Sequence, residues 1–387
     1  MSLLPIEPPV VENQKRYAIV STTDASEKSI LECLVLGESL KRPERNYNTV
    51  LLAYSPMSPE SKQALKATWD AVIEAVDFRS SYHGVDPYLN VLHALCLTNY
   101  NKVLVVASHT IAADSLNEVF ELKAPAVAVN SKDFAWLSGV HLPNEALMTQ
   151  NDERTANIRV LLLNPSLEEF EEALEILDSD RGESSGQCAS LFVLRFFRGS
   201  WYSLSHEYNY KDRFVTYGER RTFGSKPEEQ ECLLVNYCAG ITPADMYFFS
   251  DEVKQLGEID LPRRAELVRS IEDWQLFPEI CSKQSAHDRF MAIYRCWFKR
   301  LLEVSERLMD EVGLSLFQVA KPSLSCSIVE IKERLEEQRR SDQRKEKAKN
   351  AFRIRTSHGR NSIMEVTDSA IVTRCLNRNK HSSPGVR

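Results

Sequence analysis

Short apolar runs alternate with amphipathic stretches through the first half of the chain. Residues 17–21 form an apolar run of strand length, and residues 27–40 follow with Ile30, Leu31, Leu34, Val35 and Leu40 near helical spacing. Residues 49–54 predict a second strand. Ser58 ahead of Pro59 supplies an N-cap and a first helical position for a helix running towards Trp69. A third strand is expected over 71–77, and Asp86 ahead of Pro87 opens a helix through Leu89, Leu92, Leu95 and Cys96 that ends near Asn99. The run 103–106 is apolar at every position, the pattern of a strand buried on both faces. A short helix over 115–122 and a strand over 125–129 follow. Strands and helices alternating at this spacing predict an α/β fold with a mostly parallel central sheet covered on both sides. Ligands on such sheets bind beyond the carboxyl ends of the strands, which sets residues 21–24 beside 107–110 at the expected site.

A polar stretch, 130–157, precedes a strand over 158–163, and Ser166 with Glu169 forms a capping box for a helix through Leu174 and Leu177. Residues 184–197 read as another helix and 233–237 as a strand, with tyrosine-rich loops around 208–217. The last third changes character. Ser285 and Asp288 resemble a second capping box, and Phe290, Tyr294, Trp297, Leu301, Leu308 and Val312 stripe the helix that follows. That stripe must bury, either against the sheet domain or against another copy of the chain. Residues 327–350 predict a second long helix with few apolar positions beyond Ile328, Ile331 and Leu335, so its latter half is expected to be solvated or partner-dependent. The resulting division is an N-terminal tail (1–16), a principal domain (17–250), a helical extension (251–325) and a charged helix with a basic, disordered tail (326–387).

Composition narrows the class. At 387 residues the chain exceeds what one core usually serves, and 43% hydrophobic with 27% charged residues is ordinary for a water-facing protein. No apolar stretch approaches the roughly 20 residues that cross a bilayer, so no membrane span is expected. Residues 1–14 carry Pro5, Pro8 and Pro9 with Glu7 and Glu12, unlike a secretory or transit leader, which makes the cytoplasm the expected location. Nine cysteines without a Cys-x-x-Cys pair suggest neither a disulfide framework nor a zinc ribbon. Charge is uneven: residues 338–387 hold 13 Lys and Arg against 4 Asp and Glu, whereas the rest holds 35 against 51. A basic tail on an acidic body suggests either a solvated end or one that meets an acidic partner. Nucleic acid is not the expected partner, because Glu346 interrupts the basic run and only Phe352 interleaves an aromatic.

Several motifs together carry a family resemblance. Residues 17–25, Tyr-Ala-Ile-Val-Ser-Thr-Thr-Asp-Ala, with Leu-Val-Leu-Gly-Glu-Ser-Leu at 34–40, look like a nucleotide-binding first strand and helix. Leu-His-Ala-Leu-Cys-Leu-Thr-Asn-Tyr at 92–100 with Lys102, Ser-Leu-Asn-Glu-Val-Phe at 115–120, Val-Leu-Leu-Leu-Asn-Pro-Ser at 160–166 and Tyr208-Asn209 follow in order. In these features the chain resembles glycogenin and the related family 8 glycosyltransferases. The resemblance implies a GT-A-like nucleotide-diphospho-sugar transferase fold, hexosyl transfer from a UDP-sugar, and a homodimer. It places a nucleotide-sugar site at Val20, Ser21, Thr22, Thr23, Ala107, Ser108, His109, Asn236 and Gly240.

The departures from the family fall on its chemistry. Where the family has Asp-x-Asp this chain has Ala107-Ser108-His109, and where a third ligand, a His, is usual it reads Val235-Asn236-Tyr237. A hard divalent ion on a diphosphate wants anionic oxygen ligands, so the family's manganese is not expected and no metal ligand is assigned. Thr242 and Val91 stand where phosphate-facing basic residues are usual, Ser26 where an aromatic stacks on uracil, and Gly186-Gln187 where an Asp-Gln pair assists catalysis. A metal stabilises the leaving diphosphate by several kcal/mol, and losing about 4 kcal/mol slows turnover roughly a thousandfold. No catalytic residue is therefore assigned, and the expectation is an impaired transferase retained as an interaction scaffold, meeting a protein partner through residues 286–312 and the basic tail. The opposing expectation is metal-free transfer, with Arg195, Arg198, Lys211 and Arg213 as the cations whose segments approach the site. Thr216, beside Tyr217, lies nearest the tyrosine that glycogenin glucosylates on itself, but self-glycosylation is not expected.

Overall fold

The computed structural model describes residues 15–78, 86–129, 133–147, 156–179, 189–211, 232–237, 242–244 and 284–320. All of them lie in one compact unit within Met1–Leu147 and Arg154–Leu324; residues 148–153 and 325–387 lie outside the described residues. The strands are β1 (Tyr17–Thr23), β2 (Tyr47–Ala53), β3 (Ala71–Glu74), β4 (Lys102–Val106), β5 (Thr110–Ala112), β6 (Ala126–Val129), β7 (Ala156–Leu163), β8 (Tyr202–Ser203), β9 (Tyr210–Lys211) and β10 (Leu234–Asn236). Seven of them build a sheet in the order β3-β2-β1-β4-β7-β6-β8, and β5, β10 and β9 build a second, smaller one. In the large sheet β7 alone runs against its neighbours, so the expected α/β class with a mostly parallel sheet is the one found. Every residue of β2 is buried and so are Val103 to Val106 of β4, which is why these strands show no alternation in sequence.

The first crossover shapes the rest. Ser26 caps α1 (Glu27–Leu40), its hydroxyl accepting from the Ser29 amide. Just before it, Ala25 takes a left-handed φ of 60°, and its amide donates to the Thr23 hydroxyl 3.1 Å away. Residues Ile30 to Leu40 are all buried, because α1 is covered on the side away from the sheet as well. One cover is α2 (Pro59–Thr68), capped by Ser58 as the Ser-Pro pair predicts, with Trp69 behind it donating from its indole to the Cys33 carbonyl. The indole passes so close that a Cβ on Gly37 would sit 2.7 Å from Nε1, so only glycine permits this approach. After α3 (Asn144–Leu147), α4 (Leu167–Ser179) and α5 (Ala189–Phe196), a helical extension of α6 (Gln284–Val312) and α7 (Leu316–Val319) supplies the other cover.

The apolar stripe of α6 is used within the chain. Trp297, Leu301, Val304 and Leu308 are buried in the same core as α1 and α2, and Arg307 donates to Glu38 of α1. The Ser61 hydroxyl of α2 donates to the Val319 carbonyl at the end of α7. The side chains of Phe290 and Tyr294 lie outside the described residues. Because α6 already begins at Gln284, Ser285 lies inside the helix rather than capping it. Among the described residues no helix is long and apolar enough to cross a membrane.

Two elements depart from the sequence expectation. The third strand stops at Glu74, and the Pro87 segment is a 3-10 helix, Pro87–Cys96, not an α-helix. Its apolar residues Leu89, Leu92 and Leu95 recur every third position, which matches three residues per turn. Inside it His93 is fully buried, stacked on Phe78 with centroids 4.5 Å apart, with Nε2 2.9 Å from the Val76 carbonyl. Burial pushes its pKa down to about 4, against the smaller opposing effects of the Val76 carbonyl and Asp77. The unfolded chain therefore holds the extra proton between about pH 4 and 6.5, and stability falls as pH drops through that window. His93 should account for about 3 kcal/mol of that loss. Urea midpoints measured from pH 7 to pH 4 should fall less steeply in His93→Phe than in the parent; parallel curves would show that this imidazole is not the buried neutral group described.

Candidate functional site

The sheet's strand order reverses between β1 and β4, which pair in parallel with Val20 opposite Val105. Beyond their carboxyl ends the chain leaves β4 through Ala107, Ser108 and His109 and turns into β5. This loop is pinned on both sides. The Ala107 amide donates to the Arg159 carbonyl of β7 at 2.9 Å, and the Tyr237 amide donates to the His109 carbonyl at 3.0 Å. Thr110 pairs with Asn236 across β5 and β10, and the Asn236 amide group donates to the Asn209 side chain at 2.9 Å. Ala107, Ser108, His109 and Asn236, far apart in sequence, therefore meet at one place.

A cleft of about 340 Å³ opens there, lined by Lys28, Glu32, Tyr88, Ser108, His109 and Arg159 among others. That volume lies at the lower end of the range for small-molecule sites. A smaller recess of about 60 Å³ continues it between Thr22, Val91, Ala107 and Ile158. One carboxylate organises the floor: Glu32 accepts from the Ser108 hydroxyl at 2.8 Å and from the Thr242 hydroxyl at 3.0 Å, with Lys28 Nζ 4.0 Å away. The residue ties α1, the loop after β4 and the segment at 242 together. The His109 imidazole is held neutral. Burial pushes its pKa down to about 3, the positive charges of Arg159 and Lys28 add to that, and the Asn236 side chain opposes them. Among the described residues its Nε2 and the Asn236 Oδ1 are buried without a hydrogen-bond partner.

The expected site residues divide. Thr22, Ala107, Ser108 and His109 border the cleft or its recess, and Asn236 is buried behind His109. Val20 and Ser21 are fully buried in β1, and the Thr23 hydroxyl is engaged by the Ala25 amide and Ser29, so these three contribute no cleft surface. Gly240 lies outside the described residues, as do Gly186, Gln187, Arg213, Thr216, Tyr217 and the side chain of Lys211. Arg195 and Arg198, proposed from sequence as the cations near the site, are not among the residues lining the cleft; Lys28 and Arg159 are. Glu32 and Tyr88 were likewise missed. Arg159 had one signal, since Asn157 and Arg159 alternate with buried Ala156, Ile158 and Val160 at the start of β7.

The donor set does not fit manganese. His109 offers a neutral imidazole, Asn236 an amide, and Ser108 a hydroxyl already donating to Glu32, whose two oxygens are both engaged. Among the described residues no group of three or more His, Cys, Asp and Glu is placed to hold a metal ion. A hard ion on a diphosphate needs anionic oxygens that this loop does not present.

No family model matches the sequence. An uncharacterized protein of Acanthamoeba polyphaga mimivirus is 24% identical over 209 residues, 50% of this chain and 72% of that protein. Among solved structures the chain is similar to the glycosyltransferase GlyE of Streptococcus pneumoniae, at 18% identity and a TM-score of 0.44 over 81% of this chain. It spans 66% of the length of GlyE. It is also similar to the galactosyltransferase LgtC in complex with donor and acceptor sugar analogues, at 14% identity and a TM-score of 0.42, covering 58% of this chain and 88% of that one.

If Glu32 holds the cleft together as described, Glu32→Ala leaves two hydroxyls without their acceptor and should lower stability by about 1–3 kcal/mol. Glu32→Gln, which keeps one acceptor oxygen, should lose less. Urea unfolding of the two variants checks the order; equal stability of Glu32→Ala and the parent would remove Glu32 from this role.

Proposed function

We propose that the chain is a glycogenin-like, family 8 glycosyltransferase-fold protein of GT-A type. Its ancestral activity is hexosyl transfer from a nucleotide sugar, its metal-dependent chemistry is impaired, and it serves as an interaction scaffold. One observation carries this reading: the cleft lies where the strand order reverses, but the loop at its metal position presents a neutral imidazole and a hydroxyl spent on Glu32. A leaving diphosphate gathers negative charge as the glycosidic bond breaks, and without the cation several kcal/mol of stabilisation are missing. The scaffold surfaces are the outer face of α6, where Met309 is 46% exposed, and the basic segment 338–387, which suits an acidic protein face. A second copy of the chain is the other partner this reading allows. A second functional reading, an active metal-independent hexosyltransferase using a UDP-sugar, is favoured by Lys28 and Arg159 in the cleft.

Incubating the purified full-length chain with UDP-glucose or UDP-galactose, with and without manganese, separates these readings when released sugar is followed by chromatography. The expected result is no manganese-stimulated release, with any residual turnover roughly a thousandfold below that of a metal-assisted reaction. Manganese-stimulated release would overturn the impaired reading, and release equal in both conditions would favour the second.

A further inference from the structure

Among the described residues the cleft keeps one positive charge that no carboxylate answers. Its two carboxylates among the described residues are both occupied: Asp24 Oδ1 accepts from the Ser26 amide and hydroxyl, and Glu32 takes the Ser108 and Thr242 hydroxyls with Lys28 nearby. Arg159 lines the same cleft, and among the described residues no carboxylate pairs with its guanidinium. The field at His109 agrees with this arrangement, since beyond burial both cations depress its protonation. The first turn of α1 also lines the cleft through Ser26, Lys28 and Ser29, and the start of a 14-residue helix adds partial positive charge on the same side. An aromatic completes the set. Tyr88, 46% exposed on the 3-10 helix, stands at the rim of both the cleft and its recess.

An unpaired guanidinium, a second cation and a helix start suit an anion with several oxygens, because arginine grips such groups through two parallel donors. An exposed phenol ring beside them suits a flat, partly apolar ring. A volume near 340 Å³ admits a mononucleotide more readily than a dinucleotide. We propose that the cleft binds a nucleoside diphosphate without a divalent cation, with Arg159 as the principal phosphate contact, Lys28 and the first turn of α1 sharing its charge, and Tyr88 stacking on the base. This inference rests on reading the cleft as a donor site, and it goes further by moving the phosphate and base contacts to residues outside the motifs that suggested that reading. It requires no transfer: a protein with no measurable turnover binds in the same way.

The test is calorimetric titration of the full-length protein with UDP in EDTA and again in manganese, with uridine and inorganic pyrophosphate as half-ligands. UDP is expected to bind with the same affinity in both conditions and more tightly than either half. Arg159→Met keeps the aliphatic stem and should weaken UDP at least about tenfold, a loss of roughly 1.4 kcal/mol, with Arg159→Lys in between. Tyr88→Ser should weaken UDP while leaving pyrophosphate unchanged. Thermal midpoints close to the parent's keep the comparison within folded protein. Binding that appears only with manganese overturns the metal-free proposal and leaves the donor-site reading intact. Absence of UDP binding at millimolar concentration in both conditions overturns both. Undiminished binding by Arg159→Met overturns the assignment of the phosphate contact.

Discussion

The pairing of β1 with β4 is the constraint on which the site depends. Because β1 has β2 on one side and β4 on the other, the chain must cross to opposite sides of it, and the crossover helices part at the carboxyl ends. That parting creates a crevice whatever side chains later line it. The strands beneath are buried on both faces, and α1 is buried on nearly every side by the sheet, Trp69 and α6. A crevice made by backbone topology and closed by this much apolar contact outlasts the loss of any particular ligand group. This is how a fold and its chemistry separate.

Within that crevice the charge sits on side chains of the fold itself. A metal ion delivers two charges at one point but demands anionic oxygens around it. Here the carboxylate at the floor, Glu32, faces inward to hydroxyls from two other segments and holds them in place. Positive charge arrives instead on side chains, from α1 through Lys28 and from the one antiparallel strand through Arg159. Burial, reinforced by the same two cations, keeps His109 uncharged, so the loop after β4 hydrogen-bonds without adding charge of its own. Dispersed cations hold an anion less tightly at its point of bond cleavage than a coordinated ion does.

The order of strands and helices was legible because each run carried its own period and cap: Ser58-Pro59, Asp86-Pro87 and Ser166 all start the helices that they predict. The meeting of Ala107 to His109 with Asn236 was legible only through a resemblance, since no local pattern says that β5 and β10 will pair. That Arg159 and Tyr88 would face this crevice stayed hidden for the same physical reason, although the alternation at the start of β7 marked Arg159 as outward-facing. Their positions follow from β7 running antiparallel beside β4 and from the Pro87 segment packing at the crevice mouth, and long-range register leaves no mark on neighbouring residues. Arg195 and Arg198, whose segments were expected to approach the site, do not line the cleft. The stripe on α6 was plain, but periodicity alone does not say what covers it; the structure gives α1 and α2 from Trp297 onward.

Anomalous scattering at the manganese edge, recorded from crystals grown with UDP and manganese, tests the central claim most directly. The account predicts nucleotide density with its phosphates beside Arg159 and no manganese peak within bonding distance of Ser108, His109 or Asn236. A manganese ion bridging the diphosphate to any of these three residues would contradict it.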